Sequence, residues 1–292
     1  MPAKVGDCCV RRNQYDTLES IDTLAASMSI VARYLLAPFH FVFKLYMLII
    51  FFLVWAVFYP FVHFKLEDTR RHPQAFKIKV LWCRVLAIFW FTRYKVHGRE
   101  NLVFDGPCVV CINHQSYSDI IHMYPVIPYY FKFLGKTELR KWLMIGVFFR
   151  KGMDISINRT NAKEARASLD EAMEALDDGI SVAIFPEGEI PMDTPQLKRF
   201  KNGAFKMALA KNVPILPVTF LNNHKLLEIP YKILGNARPG VCEVVIHPRI
   251  DTQGMDLMDL APLRNKTYEV INSPLVERGL SQRANFAVDE DR

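Results

Sequence analysis

The sequence has few cysteines and only a small excess of charge. Six cysteines among 292 residues are too sparse for a disulfide scaffold, so a reducing compartment is expected for the soluble part. The net charge of +7 favours anionic partners such as phosphates, CoA or acidic lipids and does not choose among them. Because 51% of the residues are hydrophobic and 23% are charged, a packed core is expected and global disorder is excluded.

Several common motifs are also missing. No G-x-S-x-G motif occurs, and residues 135–137 resemble the end of a P-loop except that Tyr130 stands where the first glycine is required. No secretory signal peptide is expected, because no small-residue cleavage site follows an N-terminal apolar core. Cys108 and Cys111 lack a second pair at zinc-knuckle spacing and are expected to be buried. The sequence indicates neither nucleic-acid binding nor a metal or cofactor.

Apolar residues concentrate near the N-terminus. Residues 45–64 form a run of 20 without a formal charge, which is long enough to cross a bilayer as a helix. Residues 80–91 are too few to span and contain Arg84, as is typical of an interfacial or re-entrant helix. The stretch between them is basic and is expected to contact an anionic membrane surface. The pattern predicts membrane association, through one spanning helix or two half-inserted helices.

The rest of the chain predicts an α/β fold, a mixed central sheet flanked by helices. Strands are predicted over 108–113, 129–136, 181–185, 215–220 and 242–247, and helices over 120–125, 137–149, 161–178 and 202–212. Strands that alternate with helices indicate a largely buried sheet. We therefore expect an N-terminal arm with membrane-anchoring helices over 1–96, a catalytic domain over 97–278 and a disordered tail over 279–292.

Two loops that follow predicted strands carry candidate catalytic residues, since sites in such sheets lie beyond the strand ends. In the first, a general base His114 is followed five residues later by Asp119, whose carboxylate can hold the histidine tautomer. The two side chains can meet only if His114 lies in the turn and Asp119 in the first helical turn. A serine-hydrolase alternative would use Ser116 or Ser118 as the nucleophile, but it lacks the usual elbow motif.

The second loop contains Glu187 and Gly188, which can bring a carboxylate and an open backbone N–H to a site. Between the two loops, residues 132–166 hold nine cationic and three acidic side chains, a local excess of six positive charges. Such a stretch can bind a phosphate or form a solvated face. Arg159 ends an alternating segment and is the best single candidate for a phosphate contact.

Four ordered segments together resemble the glycerolipid acyltransferase family, which includes the 1-acylglycerol-3-phosphate acyltransferases. They are the N-H-x-x-x-x-D segment over 113–119, a glycine-led segment ending in arginine over 152–159, F-P-E-G over 185–188 and V-P-I-L-P over 213–217. The resemblance extends over about 98–250 and includes residues 200–208. The general style of the sequence is similar to a bacterial branch of the family.

The resemblance implies a reaction and a set of roles. His114, oriented by Asp119, would take the proton from the hydroxyl of 1-acylglycerol 3-phosphate, which attacks the thioester of acyl-CoA or of acyl carrier protein. The product would be phosphatidic acid, with no metal or cofactor needed. Arg159 and Lys136 would hold the phosphate, Glu187 would position the glycerol hydroxyls, and a backbone N–H near Gly188 would stabilise the oxyanion.

One departure from the family pattern affects the acceptor. The third motif commonly continues E-G-T-R, and here Glu189 and Ile190 follow Gly188. The missing arginine is often credited with holding the acceptor's phosphate, and Lys136, Arg159 or Arg199 could replace it. Alternatives are therefore an acyltransferase for a lyso-amino lipid, another lysophospholipid or glycerol 3-phosphate, and a non-catalytic lipid-binding relative. The expected location is the bacterial inner membrane, with the site facing the cytoplasm.

Overall fold

The computed structural model describes residues 6–103, 105–127, 129–228 and 235–282, with the side chains of the first helix described from Leu35. Over these residues the chain forms α-helices and strands in an alternating order. The helices are α1 (Gly6–Leu66), α2 (His72–Phe89), α3 (Ser118–Val126), α4 (Gly146–Arg150), α5 (Ala162–Asp177), α6 (Gly203–Lys211), α7 (Asn223–Leu226) and α8 (Leu260–Glu277). The strands are β1 (Thr92–His97), β2 (Val109–Ile112), β3 (Phe131–Lys136), β4 (Ile155–Ile157), β5 (Ser181–Ile184), β6 (Ile215–Phe220) and β7 (Gly240–Ile246).

The strands form one mixed seven-stranded sheet, which confirms the predicted fold class. Its order is β1-β7-β6-β2-β5-β3-β4. The five strands from β6 to β4 run parallel to their neighbours, and β7 is antiparallel to β6. Parallel neighbours end at the same edge of a sheet, so the loops after β2, β3, β4, β5 and β6 lie along one edge.

Both faces of the sheet are buried. Strand β2 is fully buried, and its successive residues pack into different apolar clusters: Val110 and Ile112 pack on the side of α1–α4, and Val109 and Cys111 on the side of α5, α6 and α8. The alternation follows from the two-residue period of a strand. Continuous apolar runs were therefore the correct signal for the central strands.

The N-terminal helices pack against the α/β domain. Trp82 of α2 lies between the rings of Phe51 and Trp55 on α1, with ring centroids 5.4 and 4.9 Å apart. Near the start of the apolar part of α1, over residues 35–66, Nδ1 of His40 lies 2.7 Å from the carbonyl oxygen of Ala237. Just beyond the other end, Glu67 pairs with Lys151 of the domain at 2.8 Å. Helix α1 therefore contacts the domain at both ends of its apolar part.

Some boundaries differ from the sequence prediction. The sheet begins with β1 at Thr92, before the predicted domain boundary at residue 97, because β1 pairs in parallel with β7. The helix predicted over 137–149 is interrupted: a 3₁₀ turn over Thr137–Lys141 precedes the short α4. At the C-terminus, Asn272 of α8 donates to the carbonyl oxygen of Gln282 at 2.7 Å, and the predicted tail beyond residue 282 lies outside the described residues.

Candidate active site

His114 and Asp119 meet in the turn between β2 and α3. Asp119 is the second residue of α3, and its Oδ2 lies 2.8 Å from Nδ1 of His114. The backbone N–H groups of Gln115 and Ser116 donate to the same oxygen at 2.6 and 2.8 Å. These amide bonds fold the turn around the carboxylate, so that a separation of five residues brings the two side chains together. Because the carboxylate accepts, Nδ1 carries the proton and Nε2 keeps its lone pair.

The imidazole of His114 lies in the wall of a cavity of about 430 Å³. Its ring stacks on Phe185 of the second loop, with centroids 4.0 Å apart and planes 7° from parallel. The side chain of His114 is 11% exposed, whereas that of Asp119 is fully buried. The histidine can therefore reach a bound hydroxyl, and the aspartate can act only through the histidine.

The second oxygen of Asp119 is bound by a residue that the sequence analysis missed. Nδ2 of Asn223, at the start of α7, donates to Oδ1 of Asp119 at 2.7 Å. Asn223 is fully buried. No local spacing could have revealed Asn223, because it follows Asp119 by 104 residues. The two residues come together only because β6 pairs beside β2 in the sheet.

Glu187 does not have the predicted role of positioning the acceptor's glycerol. Its carboxylate is buried and accepts from the backbone N–H groups of His114 at 2.7 Å and Lys198 at 2.9 Å. Burial raises the pKa of Glu187 to about 8, although these two amide bonds lower it. The residue joins the His114 turn to the segment that carries Lys198, and it does not line the cavity.

Gly188 lines the cavity but does not offer its amide as an oxyanion donor. Its N–H donates to the carbonyl oxygen of Phe185 at 3.1 Å, which closes the turn after β5. The residue has φ of 84°, a left-handed conformation that favours glycine, and a Cβ there would meet the side chain of Lys201 at 2.9 Å. The left-handed turn therefore favours glycine here, whereas the flexible end of the Lys201 side chain could move away from a Cβ.

Three cationic side chains line the same cavity: Lys136 at the end of β3, Arg159 after β4, and Lys198. Lys136 pairs with Glu138 at 3.2 Å, and Lys198 pairs with Glu189. Burial lowers the pKa of Arg159, and the nearby carboxylates of Glu189 and Glu138 oppose that shift. The structure thus places two predicted phosphate ligands beside His114 and adds Lys198.

Arg199, the third predicted candidate, does not line the cavity. It is exposed and immediately follows Lys198. Of the two neighbours, only Lys198 has its side chain in the cavity wall. Lys198 therefore joins Lys136 and Arg159 as a candidate phosphate ligand in place of Arg199.

An apolar cavity of about 400 Å³ adjoins the polar one. Tyr117 and Trp142 line both cavities, with their ring centroids 6.2 Å apart. The apolar cavity extends along α1, where its walls include Leu45 and Leu48. A ligand with a polar head and a hydrocarbon chain could occupy both cavities at once.

The serine-hydrolase alternative is wrong. Oγ of Ser116 donates to the carbonyl oxygen of Leu227 at 2.6 Å and lies 2.9 Å from Oγ of Ser118. Both serines are buried and neither lines the polar cavity. Cys108 and Cys111 are also buried as free thiols, as predicted, and burial raises the pKa of Cys111 above its ordinary value.

Comparison with known proteins identifies the class to which this site belongs. Residues 93–221 match the family model described as Acyltransferase, so this part of the chain carries an acyltransferase domain. The match extends from β1 to the end of β6 and includes the His114 turn and the F-P-E-G turn. The resemblance inferred from the four motifs is thereby confirmed.

Individual relatives point to one subgroup. The chain is 33% identical over 215 residues to a chloroplastic 1-acyl-sn-glycerol-3-phosphate acyltransferase of Brassica napus, over 73% of this chain and 60% of the relative. It is 27% identical to the human 1-acyl-sn-glycerol-3-phosphate acyltransferase beta, over 70% of this chain and 72% of the relative. It spans less than two thirds of the length of the plant, algal and nematode relatives that it matches.

A solved structure shares the fold. The crystal structure of the 1-acyl-sn-glycerophosphate acyltransferase of Thermotoga maritima superposes with a TM-score of 0.69 and covers 84% of this chain and 98% of that one, at 23% identity. This superposition covers more of the chain than the family model does. Elements outside residues 93–221 therefore also match the solved structure. The assignment to a bacterial branch stays a prediction, since the relatives come from plants, an alga and animals as well as from a bacterium.

Proposed function

We propose that the protein transfers an acyl group from an acyl thioester to the free hydroxyl of 1-acylglycerol 3-phosphate and so forms phosphatidic acid. The observation that carries the proposal is the His114–Asp119 pair in the wall of a cavity that also contains Arg159, Lys136 and Lys198. A general base beside several cations suits an acceptor that has both a hydroxyl and a phosphate.

The reaction needs one base and no covalent intermediate on the protein. Nε2 of His114 takes the proton from the acceptor hydroxyl as its oxygen attacks the thioester carbonyl. The tetrahedral intermediate then collapses, the carbon–sulfur bond breaks, and the thiolate leaves and can recover the proton from the imidazolium. Asp119 stabilises the imidazolium through Nδ1 during the step.

The two cavities suggest how the substrates lie. The phosphate would contact Arg159 with help from Lys136 or Lys198, and a hydrocarbon chain would pass Tyr117 and Trp142 into the apolar cavity along α1. Acyl-CoA and acyl carrier protein are both compatible with this arrangement, because each presents the same thioester. The partners are thus a thioester donor, a lysophospholipid acceptor and membrane lipid.

One observation favours a second acceptor class. The carboxylate of Glu189 lines the polar cavity near Arg159. The third motif of the family commonly has threonine, and no acid, at this position. A zwitterionic lysophospholipid could place its phosphate near Arg159 and its ammonium group near Glu189. A lysophospholipid with an amine-bearing head group is therefore the second candidate acceptor.

The location that best suits the fold is a membrane surface. One helix, over residues 35–66, is long and apolar enough to cross a membrane. However, His40 near its start contacts Ala237 of the α/β domain, and Glu67 just after its end pairs with Lys151. We infer that α1 lies half-inserted along the surface of the membrane. In a bacterial cell this would be the cytoplasmic face of the inner membrane.

A direct assay tests the proposed function. The purified protein is incubated with an acyl-CoA or acyl carrier protein thioester and a panel of lyso-acceptors, and the acylated products are measured. We expect transfer to 1-acylglycerol 3-phosphate and its loss by at least about a thousandfold in His114→Ala, since the base is removed. The exposed histidine variant His97→Ala serves as the control. Normal turnover in His114→Ala would refute the mechanism.

A further inference from the structure

The strand β6 and the short helix α7 hold the turn that carries the catalytic pair. Asn113, just before His114, exchanges two hydrogen bonds with the backbone of Phe220, at 2.9 and 2.7 Å. Ser116 donates to the carbonyl oxygen of Leu227 at 2.6 Å. The turn is therefore bound at both ends by the segment 220–227, which lies outside the four sequence motifs.

Within this segment one side chain reaches the catalytic pair itself. Nδ2 of Asn223 donates to Oδ1 of Asp119 at 2.7 Å. The other oxygen, Oδ2, accepts from Nδ1 of His114 and from two backbone amides. Each oxygen of the carboxylate thus has its own donors, and rotation of the carboxylate would break bonds at both ends.

We propose that Asn223 is a positioning residue for the acyl transfer: it fixes the carboxylate of Asp119 so that Oδ2 stays aimed at Nδ1 of His114. The proposal rests on the proposed function for its kinetic consequences. A carboxylate that has lost its donor at Oδ1 is buried and partly unpaired, which is costly, and it relaxes by turning toward other donors. The imidazole then loses the contact that keeps its proton on Nδ1 and its lone pair on Nε2.

The chain offers a matched control next to this residue. Nδ2 of Asn222 donates to the carbonyl oxygen of Val241 at 2.7 Å, and its Oδ1 accepts from the N–H of Glu243 at 3.0 Å. Asn222 therefore joins the same segment to β7 by two hydrogen bonds without touching Asp119. Asn222 is half-buried and Asn223 fully buried, so a merely structural role for Asn223 predicts that kcat falls only as far as the folded fraction falls in each variant.

The experiment compares Asn223→Leu, Asn223→Asp and Asn222→Leu in the full chain. Leucine removes the donor at similar size, and aspartate places a second carboxylate against Asp119. We expect kcat to fall about 10- to 100-fold in Asn223→Leu and further in Asn223→Asp, with both KM values within about twofold of wild type, because a bond to a charged group is lost away from the substrates. In Asn222→Leu we expect kcat within about twofold of wild type.

A spectroscopic readout separates this inference from the proposed function. The protein is labelled with ¹⁵N at the histidine rings, and the His114 signal is assigned with a His114→Gln variant. We expect the Nδ1–H tautomer in wild type and in Asn222→Leu, and a mixture of tautomers in Asn223→Leu. If the wild-type protein showed no transfer activity, the proposed function would be refuted. The tautomer of His114 in each variant would still test whether Asn223 positions Asp119.

The inference is overturned if Asn223→Leu keeps both the wild-type kcat and the Nδ1–H tautomer. It is also overturned if Asn222→Leu lowers kcat as much as Asn223→Leu. If Asn223→Leu fails to fold, the variant Asn223→Gln takes its place in the comparison, since glutamine keeps an amide donor on a longer side chain. Its kcat is expected between those of wild type and Asn223→Asp, and a kcat equal to that of Asn223→Asp would contradict a role for the donor.

Discussion

The cations of the polar cavity differ in what else they contact. Lys136 and Lys198 already pair with Glu138 and Glu189, whereas Arg159 forms no ion pair within the part of the chain that the structure describes. The guanidinium of Arg159 is partly buried and has no counter-ion among the described residues, so it has lost much of its hydration. An anionic ligand should therefore stabilise it more than it would stabilise an exposed lysine. Arg159 is therefore the residue from which the acceptor's phosphate should gain most.

The corresponding prediction concerns the acceptor. Arg159→Ala should raise the acceptor KM far more than the donor KM, and kcat/KM for the acceptor should fall roughly 10- to 150-fold, as expected for a lost charge-assisted bond of about 1.5–3 kcal/mol. Arg159→Lys should recover only part of it, because lysine lacks the two-pronged donor geometry. The measurement is steady-state kinetics with each substrate varied in turn.

The exposed cation Lys163 at the start of α5 supplies the control for net charge. Lys163→Ala should leave both KM values near wild type. An acceptor KM that is unchanged in Arg159→Ala would move the phosphate to Lys136 or Lys198. The complementary variant Ile190→Arg restores the common family residue and should be neutral or helpful if the acceptor is 1-acylglycerol 3-phosphate.

At this scale the sequence predicted the local contacts of the site and missed the distant ones. His114 and Asp119 were predictable because five residues and a strand–turn–helix pattern decide whether they can meet. Asn223 and the buried carboxylate of Glu187 were not, since their partners lie 104 and 73 residues away. The chemistry of such residues depends on which strands become neighbours, and a single sequence does not state the order of strands.

At the scale of the elements, a buried ion pair joins α2 to the sheet. Nζ of Lys79 lies 2.5 Å from Oδ2 of Asp154, both side chains are at most 2% exposed, and Oδ1 of Asp154 accepts from the N–H of Phe133 in β3. The ammonium group also lies 4.1 and 4.0 Å from the ring centroids of Tyr124 and Phe148. Lys79 was expected in the basic stretch at the membrane surface, and its burial corrects that expectation.

This pair carries a stability prediction. Lys79→Met should lower the free energy of unfolding by about 3–5 kcal/mol, because it leaves the Asp154 carboxylate buried without its counter-ion. Lys79→Met combined with Asp154→Asn should recover much of the loss, since the neutral amide keeps an acceptor for Phe133. Denaturant unfolding in detergent micelles measures both. Lys77→Met on the exposed side of α2 is the control, and an equal loss there would contradict a special role for the pair.

Strand β1 was not predicted, because its pattern of apolar and polar residues is weak. Strand β1 alternates buried or half-buried residues with exposed Arg93 and Lys95, and its six residues are also compatible with a loop beside a membrane helix. It is recognisable as a strand only because β7 pairs with it at the edge of the sheet. The central strands β2, β5 and β6 were predictable because each is a short, wholly buried apolar run between turn residues.

For the whole molecule, the length of α1 decides how it can meet a membrane. The helical path from His40 to Glu67 is about 40 Å long at 1.5 Å per residue. His40 and Glu67 both contact the α/β domain, so this part of the helix runs along the domain. Between these ends many apolar side chains stay exposed, including Leu53, Val57 and Phe61 at 59%, 65% and 63%. An exposed apolar face of this size indicates burial in lipid.

We therefore predict that both ends of this part of α1 lie on the same side of the membrane. Single cysteines replace Lys44 and Lys65, the charged residues that flank the apolar run at its two ends, in a chain whose Cys8 and Cys9 are changed to serine. In vesicles with the α/β domain outside, a membrane-impermeant maleimide should label both positions to a similar extent, and also the exposed control Glu100→Cys. The protein should stay with the vesicles in high salt, since apolar burial is not screened. A helix that spans the bilayer would instead protect one of the two α1 positions until detergent is added, and that result would contradict the half-inserted arrangement.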